Sequence, residues 1–272
     1  MTTLTLVRFQ LRRYRALFVA VLCLALVHEA TFLFLFQFWK KHAQFSDWIV
    51  SILPGRIREG MGIPIHDLTD PRTYKALVMM RPDARALGLV FGIALGTDVI
   101  AGEAGRGTAD LLFAHPVRRA TAVLAGALAM LVHLAALGAT MLAGYALLSR
   151  LFPMGDRQPS VAAAAPSVAL AMAGSAAIGA TAFLMGSLCA TRGRAIGWTL
   201  VFVLVPMVLD FMGIFTSALT GVARLFPEHY YRPHTVLLGI AEPSLPSCLA
   251  ALAVIGAAAI ALSAHLAERR DL

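Results

Sequence analysis

Six apolar runs, at about residues 16–38, 82–101, 120–148, 168–190, 195–215 and 249–266, constrain this chain more than any other feature. Each approaches or exceeds the ~20 residues that an α-helix needs to cross a bilayer. Composition agrees with that reading. The chain is 59% hydrophobic and 14% charged, against about 45–50% and about 25% in soluble domains. The expected fold is an all-α integral membrane protein of about six transmembrane helices, built as a single domain over residues 1–272.

The formal charge of +8 is distributed unevenly. Arginines cluster at Arg8, Arg12, Arg13 and Arg15, at Arg106, Arg118 and Arg119, at Arg192 and Arg194, and at Arg269 and Arg270. These positions fall at the start, after every second span and at the end, which is the positive-inside pattern with both termini cytoplasmic. A segment with eight basic residues from Lys40 to Arg85 runs against the pattern, but the rule weights short loops near span ends. No basic face of soluble size exists for nucleic acid. Cys23, Cys189 and Cys248 lie in or beside apolar runs without pairing or metal spacing and read as free thiols, so no metal is expected. The first run is too long for a cleaved signal peptide and lacks an Ala-x-Ala site.

The connecting segments carry the remaining information. Residues 1–14 place Leu4, Val7, Leu11 and Tyr14 at helical spacing with arginines on other faces, as in a helix lying among lipid headgroups. The first span holds His28 and Glu29 at its middle. Charged groups there usually face protein or water, so His28 and Glu29 read as a substrate or proton contact, or as a hydrogen bond to another span with His133 as a partner. Residues 40–81 form the longest soluble stretch, placed outside. Within it Phe45, Trp48, Ile49, Ile52 and Leu53 suggest a second interfacial helix ended by Pro54-Gly55. Gly88, Gly92 and Gly96 form a smooth stripe on the second span, suited to close packing against another helix of the same or a second chain. Pro206 interrupts the fifth span, and Asp210 near its outer end is expected to meet water. Residues 216–246 mix apolar turns with prolines, and non-helical backbone at membrane depth survives only against protein or a water-filled cavity. The alternative for this segment is an ordinary outer loop.

A polar island at 102–119 separates the second and third runs. Thr108 can cap a helix, Asp110 sits in its first turn where the dipole favours a carboxylate, and Pro116 ends it. The result is about two turns carrying Leu111, Leu112 and Phe113, too short to be stable alone in water. It must dock on something.

The pattern Gly102-Glu103, Gly107-Thr108, Leu111-Leu112 and His115-Pro116-Val117-Arg118 resembles the signature of the type-2 ABC exporter permeases, which share the type V exporter fold and include permeases of drug and polysaccharide export and of nitrous-oxide-reductase maturation. The six-span layout extends the resemblance over nearly the whole chain. Ala125-Gly126-Ala127 stands where a Gly-Lys pair often follows in that family. The resemblance implies that 108–114 is a cytoplasmic coupling helix docking into a separate ATPase subunit. On that basis Glu103 and Arg106 would anchor the turn, Leu111, Leu112 and Phe113 would dock, and Gly107, Thr108, Asp110, Pro116 and Arg118 would complete the coupling region. It also implies two ATPase copies, a second copy of the permease, a re-entrant element at 216–246, and a bacterial inner (plasma) membrane location.

No Gly-x-x-x-x-Gly-Lys-Ser/Thr occurs in the chain, so ATP and Mg are expected on the partner and no cofactor on this chain. His28-Glu29 lacks the second histidine of a zinc-protease helix, because position 32 is Phe32. No serine sits in a Gly-x-Ser-x-Gly elbow. The chain therefore reads as a non-enzymatic permease for a lipid-like, amphipathic or drug-like substrate. The alternatives are a proton-coupled secondary transporter using His28 and Glu29, or a non-transporting membrane scaffold or immunity protein.

Overall fold

The structure is a computed structural model and describes residues 3–52, 55, 68–107, 118–213 and 216–269. Among these, every regular element is a helix. Six of them are long and apolar enough to span a membrane: α2 (Arg15–Lys41), α5 (Pro82–Gly105), α6 (Arg119–Leu151), α7 (Val161–Leu188), α8 (Arg192–Gly213) and α12 (Leu245–Arg269). The shorter ones are α1 (Thr3–Arg13), α3 (Ala43–Ile52), α4 (Pro71–Met80), α9 (Ser217–Ala223), α10 (Pro227–Tyr230) and α11 (Pro233–Leu238). Because the spans alternate in direction, α3, α4 and α9–α11 share one end of the bundle. The start of α1, Arg106, Gly107, Arg118, residues 189–191 and the end of α12 share the other, basic end.

The three middle spans form the interior. In α5, α6 and α7, 61–67% of the apolar stretch is buried within the chain, against 17–22% in α2, α8 and α12. Those outer spans present Leu24, Phe34, Trp198, Leu204 and Val254 outward, a face that only lipid or another protein can cover without cost. Phe91, Leu95, Val123, Met130, Leu137 and Phe183 fill the centre. A second cluster of Phe36, Tyr74, Val78, Tyr145, Val168 and Leu237 lies nearer the non-basic end.

Glycine sets the distance between α5 and α7. A Cβ on Gly92 would stand 2.4 Å from the Cα of Gly179, and one on Gly96 would stand 2.7 Å from the backbone nitrogen of Phe183. Gly88 faces Ser175 in the same way. The partner of this stripe is thus a span of the same chain, and backbone contact replaces the side-chain interdigitation of larger residues.

Within the 40–81 segment, residues 71–80 are packed into the bundle. Helix α3 carries Trp48 and Ile52 exposed, but Pro71–Met80 is a buried helix that packs against α11 and fills the bundle end. Asp70 caps it by accepting from the backbone N–H of Thr73 at 2.9 Å, and Pro71 opens its first turn. Pro, Asp and basic residues around it read as loop in the sequence, because its apolar face is short. The fourth span also begins earlier than expected, at Val161, where the Ser160 hydroxyl accepts from the N–H of Ala163. Pro166 lies inside that helix.

Replacing Gly92 with Ala forces α5 from α7 and is expected to cost about 1–3 kcal/mol, read as a lower melting temperature in detergent. Gly197→Ala, inside α8 and with nothing within 4 Å of its Cβ, should not lower it.

Candidate functional site

The polar residues at the basic end converge on one carboxylate. Asp98, 2% exposed, opens a π-helical turn spanning Asp98–Gly102 near the end of α5. Its Oδ2 accepts from the Tyr14 hydroxyl at 2.6 Å and faces Arg13 Nη2 at 3.0 Å. Its Oδ1 accepts from Arg106 Nη1 at 2.7 Å and lies 3.4 Å from Arg192 Nη1. Glu103 completes the group, its Oε1 facing Arg13 Nη1 at 2.5 Å and Arg106 Nη2 at 2.7 Å.

The local fold explains the convergence. In an α-helix residues five apart point in different directions, but the π turn bonds the Glu103 N–H to the Asp98 carbonyl and brings the two carboxylates to one side. Gly102 leaves the room, since a Cβ there would stand 2.2 Å from Asp98 Oδ1. Three guanidinium groups thus face two carboxylates, joining α1, the end of α5, the entry to 108–114 and the start of α8. Burial, reinforced by the Asp98 hydrogen bond, pushes the Tyr14 phenol well above its ordinary range. The hydrogen bond to Asp98 likewise raises Arg106. Both groups keep their protons at any physiological pH.

Glu103 and Arg106 therefore touch each other and the Asp98 group. Gly107, at a φ of +67°, turns the chain where an L side chain would be strained. Thr108, Asp110, Leu111, Leu112, Phe113 and Pro116 lie outside the described residues. Arg118 precedes α6, and the backbone N–H of Ala120 donates to Glu268 Oε1 at 3.0 Å, tying α6 to the end of α12.

His28, Glu29 and His133 do not form one site. Glu29 pairs with Lys75 of α4, both buried, and the Lys75 ammonium lies 4.5 Å from the Tyr145 ring centre. His28 lies 3.8 Å from Asp83. His133 sits between Phe18 and Phe91, with Nδ1 2.7 Å from the Ala129 carbonyl. His133 is a core aromatic here: the residue of α6 that reaches the Glu29–Lys75 pair is Tyr145, more than three turns further along the helix.

Two further pairs pin the opposite end. Arg85 of α5 meets Glu228 of α10, and its guanidinium covers the Tyr231 ring at 4.4 Å. Asp210 faces His229 Nδ1 at 2.8 Å and Arg232 Nη2 at 3.2 Å, and so binds the following segment instead of meeting only water. Burial pushes Tyr231 up to about 12. Residues 216–246 are packed onto the bundle: Tyr231 presses on Gly174 of α7, where a Cβ would stand 2.3 Å from the ring. Asp98, Lys75, Arg85 and Glu228 were not singled out in the sequence. A charged residue inside an apolar run was the available signal at Asp98 and Arg85.

Asp98→Asn should destabilise by about 3–5 kcal/mol, since three guanidinium groups lose their shared buried anion. Arg192→Gln removes only a half-exposed partner and should stay within about 1 kcal/mol. Equal melting temperatures for the two variants would remove Asp98 from the centre of the group. A pH dependence follows from His234 of α11, which burial, with a smaller push from Arg232, lowers to about 4. The unfolded chain takes up this proton near pH 6.5 and the folded chain only near 4. Stability is then full above about pH 6.5 and falls as pH drops toward 4. Between pH 7 and 5 the loss should be about 2 kcal/mol, measured as a melting shift that His234→Gln abolishes.

Residues 73–245 match the family model described as ABC-2 family transporter protein. Among individually characterised proteins, no sequence matches the chain. The matched residues run from α4 to the start of α12 and contain the π turn, the 102–119 island and the segment after α8. This multi-pass membrane protein belongs to the ABC-2 transporter family, whose members are non-catalytic permease subunits that associate with an ABC ATPase.

Proposed function

We propose that the chain is the permease half of an ATP-driven exporter, moving a lipid-like, amphipathic or drug-like substrate across a bacterial inner membrane. Two permease copies and two ATPase copies would form the transporter, with both termini and residues 102–119 in the cytoplasm. ATP and Mg would act on the ATPase, whose closure pushes the helix at 108–114.

The observation that carries this reading is the ion group around Asp98. Glu103 and Arg106 precede the docking segment by a few residues, and both are bonded into a group that also holds α1 and α8. A force entering at 108–114 therefore reaches α5 directly and α8 and α1 through charge-assisted hydrogen bonds, which are shorter and stronger than neutral ones. Leu111, Leu112 and Phe113 supply the apolar contact to the ATPase, and Thr108 with Asp110 starts the helix that presents them. The proton-coupled alternative loses its second residue, because the Glu29 carboxylate is committed to Lys75 under the Tyr145 ring.

The first test is purification of the tagged chain in gentle detergent from its native membrane, with mass spectrometry and an ATPase assay. A P-loop ATPase should co-purify near equal stoichiometry. Leu112→Asp should abolish both its recovery and substrate-stimulated hydrolysis, while membrane insertion and melting temperature stay at wild-type values. Recovery of the chain alone, or unchanged coupling in Leu112→Asp, would refute the docking role.

A further inference from the structure

The first turn of α5 begins at half the height of the bundle. At about 1.5 Å per residue, Asp83 stands about 22 Å along the helix from Asp98 and the basic end. Its carboxylate lies 3.8 Å from His28, and His28 is the middle residue of α2 (Arg15–Lys41). A hydrocarbon core of about 30 Å centred there takes in Asp83. It also takes in Arg81, whose guanidinium covers the ring of Phe32, one turn along α2 from His28, at 4.8 Å.

The backbone puts the two charges there. Arg81 ends α4 in an extended conformation and precedes Pro82, the first residue of α5, a position where the helical conformation is disfavoured. Arg81 bonds Asp83 through Nε at 3.0 Å and Nη2 at 3.2 Å. Both side chains nevertheless stay about half exposed, at 53% and 45%. His28 does not complete them: at 3.8 Å it is beyond hydrogen-bond range of Asp83, and its ring nitrogens are buried without a partner among the described residues.

An arginine in this position can stretch its charge toward the interface. An aspartate is too short to do so, and a charge at this depth faces protein or water. A protein surface would strip the water from an ion pair that already has its partner, and such burial returns less than it costs. We propose that Arg81 and Asp83 line a water-filled route at mid-membrane in the assembled transporter. They are the polar contacts along which the charged or hydrogen-bonding part of the transported molecule passes. This role rests on the permease reading and narrows the substrate to molecules whose polar part crosses in water.

The test uses the full chain without its native thiols (Cys23→Ala, Cys189→Ser, Cys248→Ala), in open fragments of its native membrane, with one cysteine restored at a time. Methanethiosulfonates attack the thiolate, a charged form that hydrocarbon suppresses. Asp83→Cys should react with the ethylsulfonate reagent at least about tenfold faster than Val254→Cys, which lies on an exposed face of α12. Because Asp83→Cys leaves Arg81 unpaired, the anionic reagent should also be favoured over its trimethylammonium counterpart, by about threefold relative to their rates with free cysteine. Adding Arg81→Gln should abolish that preference. If Asp83→Cys does not insert, Ala86→Cys, exposed one turn further along α5 with the pair intact, carries the rate comparison. A rate no faster than that of Val254→Cys, or a charge preference that survives Arg81→Gln, would overturn the proposal. Labelling requires neither nucleotide nor recovery of the ATPase, so its failure is distinct from a failure of co-purification.

Discussion

A carboxylate taken almost wholly out of water is the constraint around which the basic end is built. An isolated buried Asp98 would be prohibitive, and the chain offsets that cost with Arg13, Arg106, Arg192 and the Tyr14 hydroxyl. The outer faces of those arginines stay partly wet, which spares much of their own desolvation penalty. What the group provides is connection. Three segments far apart in sequence (residues 13–14, 98–106 and 192) meet on two carboxylates, and none can move freely without breaking a charge-assisted bond.

The close approach of α5 to α7 turns that connection into a mechanical one. With Gly92 against Gly179 and Gly96 against the Phe183 backbone, the two helices meet backbone to backbone at those points. Interiors packed to this density transmit displacement instead of absorbing it. A push on the Asp98 end of α5 is therefore shared with α7, and through Ser187 and Ser263, whose hydroxyls lie 2.8 Å apart, with α12. The shared path links the end of α5 next to residue 107 to most of the bundle.

At the far end the same electrostatic logic serves closure. Glu29 of α2, Arg85 of α5 and Asp210 of α8 are each met by an opposite charge from a connecting segment: Lys75, Glu228, and Arg232 with His229. Ionisable groups in spans are tolerated when they face such partners. The connecting helices α4, α10 and α11 are held onto the bundle by these pairs, so the segments after the first and fifth spans form one packed layer.

By itself the sequence determined the class, the six spans, their alternation and the polar island at 102–119, because run length, arginine placement and capping residues are local properties. It also named Glu103 and Arg106, which sit in a recognisable motif. Asp98 stayed hidden because its partnership with Glu103 depends on a π turn that no α-helical spacing reveals. Lys75 stayed hidden because α4 reads as loop until α11 covers it. The partner of the Gly88, Gly92 and Gly96 stripe, the separation of His133 from His28 and Glu29, and the pairing of Asp210 with His229 and Arg232 were decided by tertiary structure alone. A helix face states that it will pack, and only the three-dimensional arrangement of the other spans states against what.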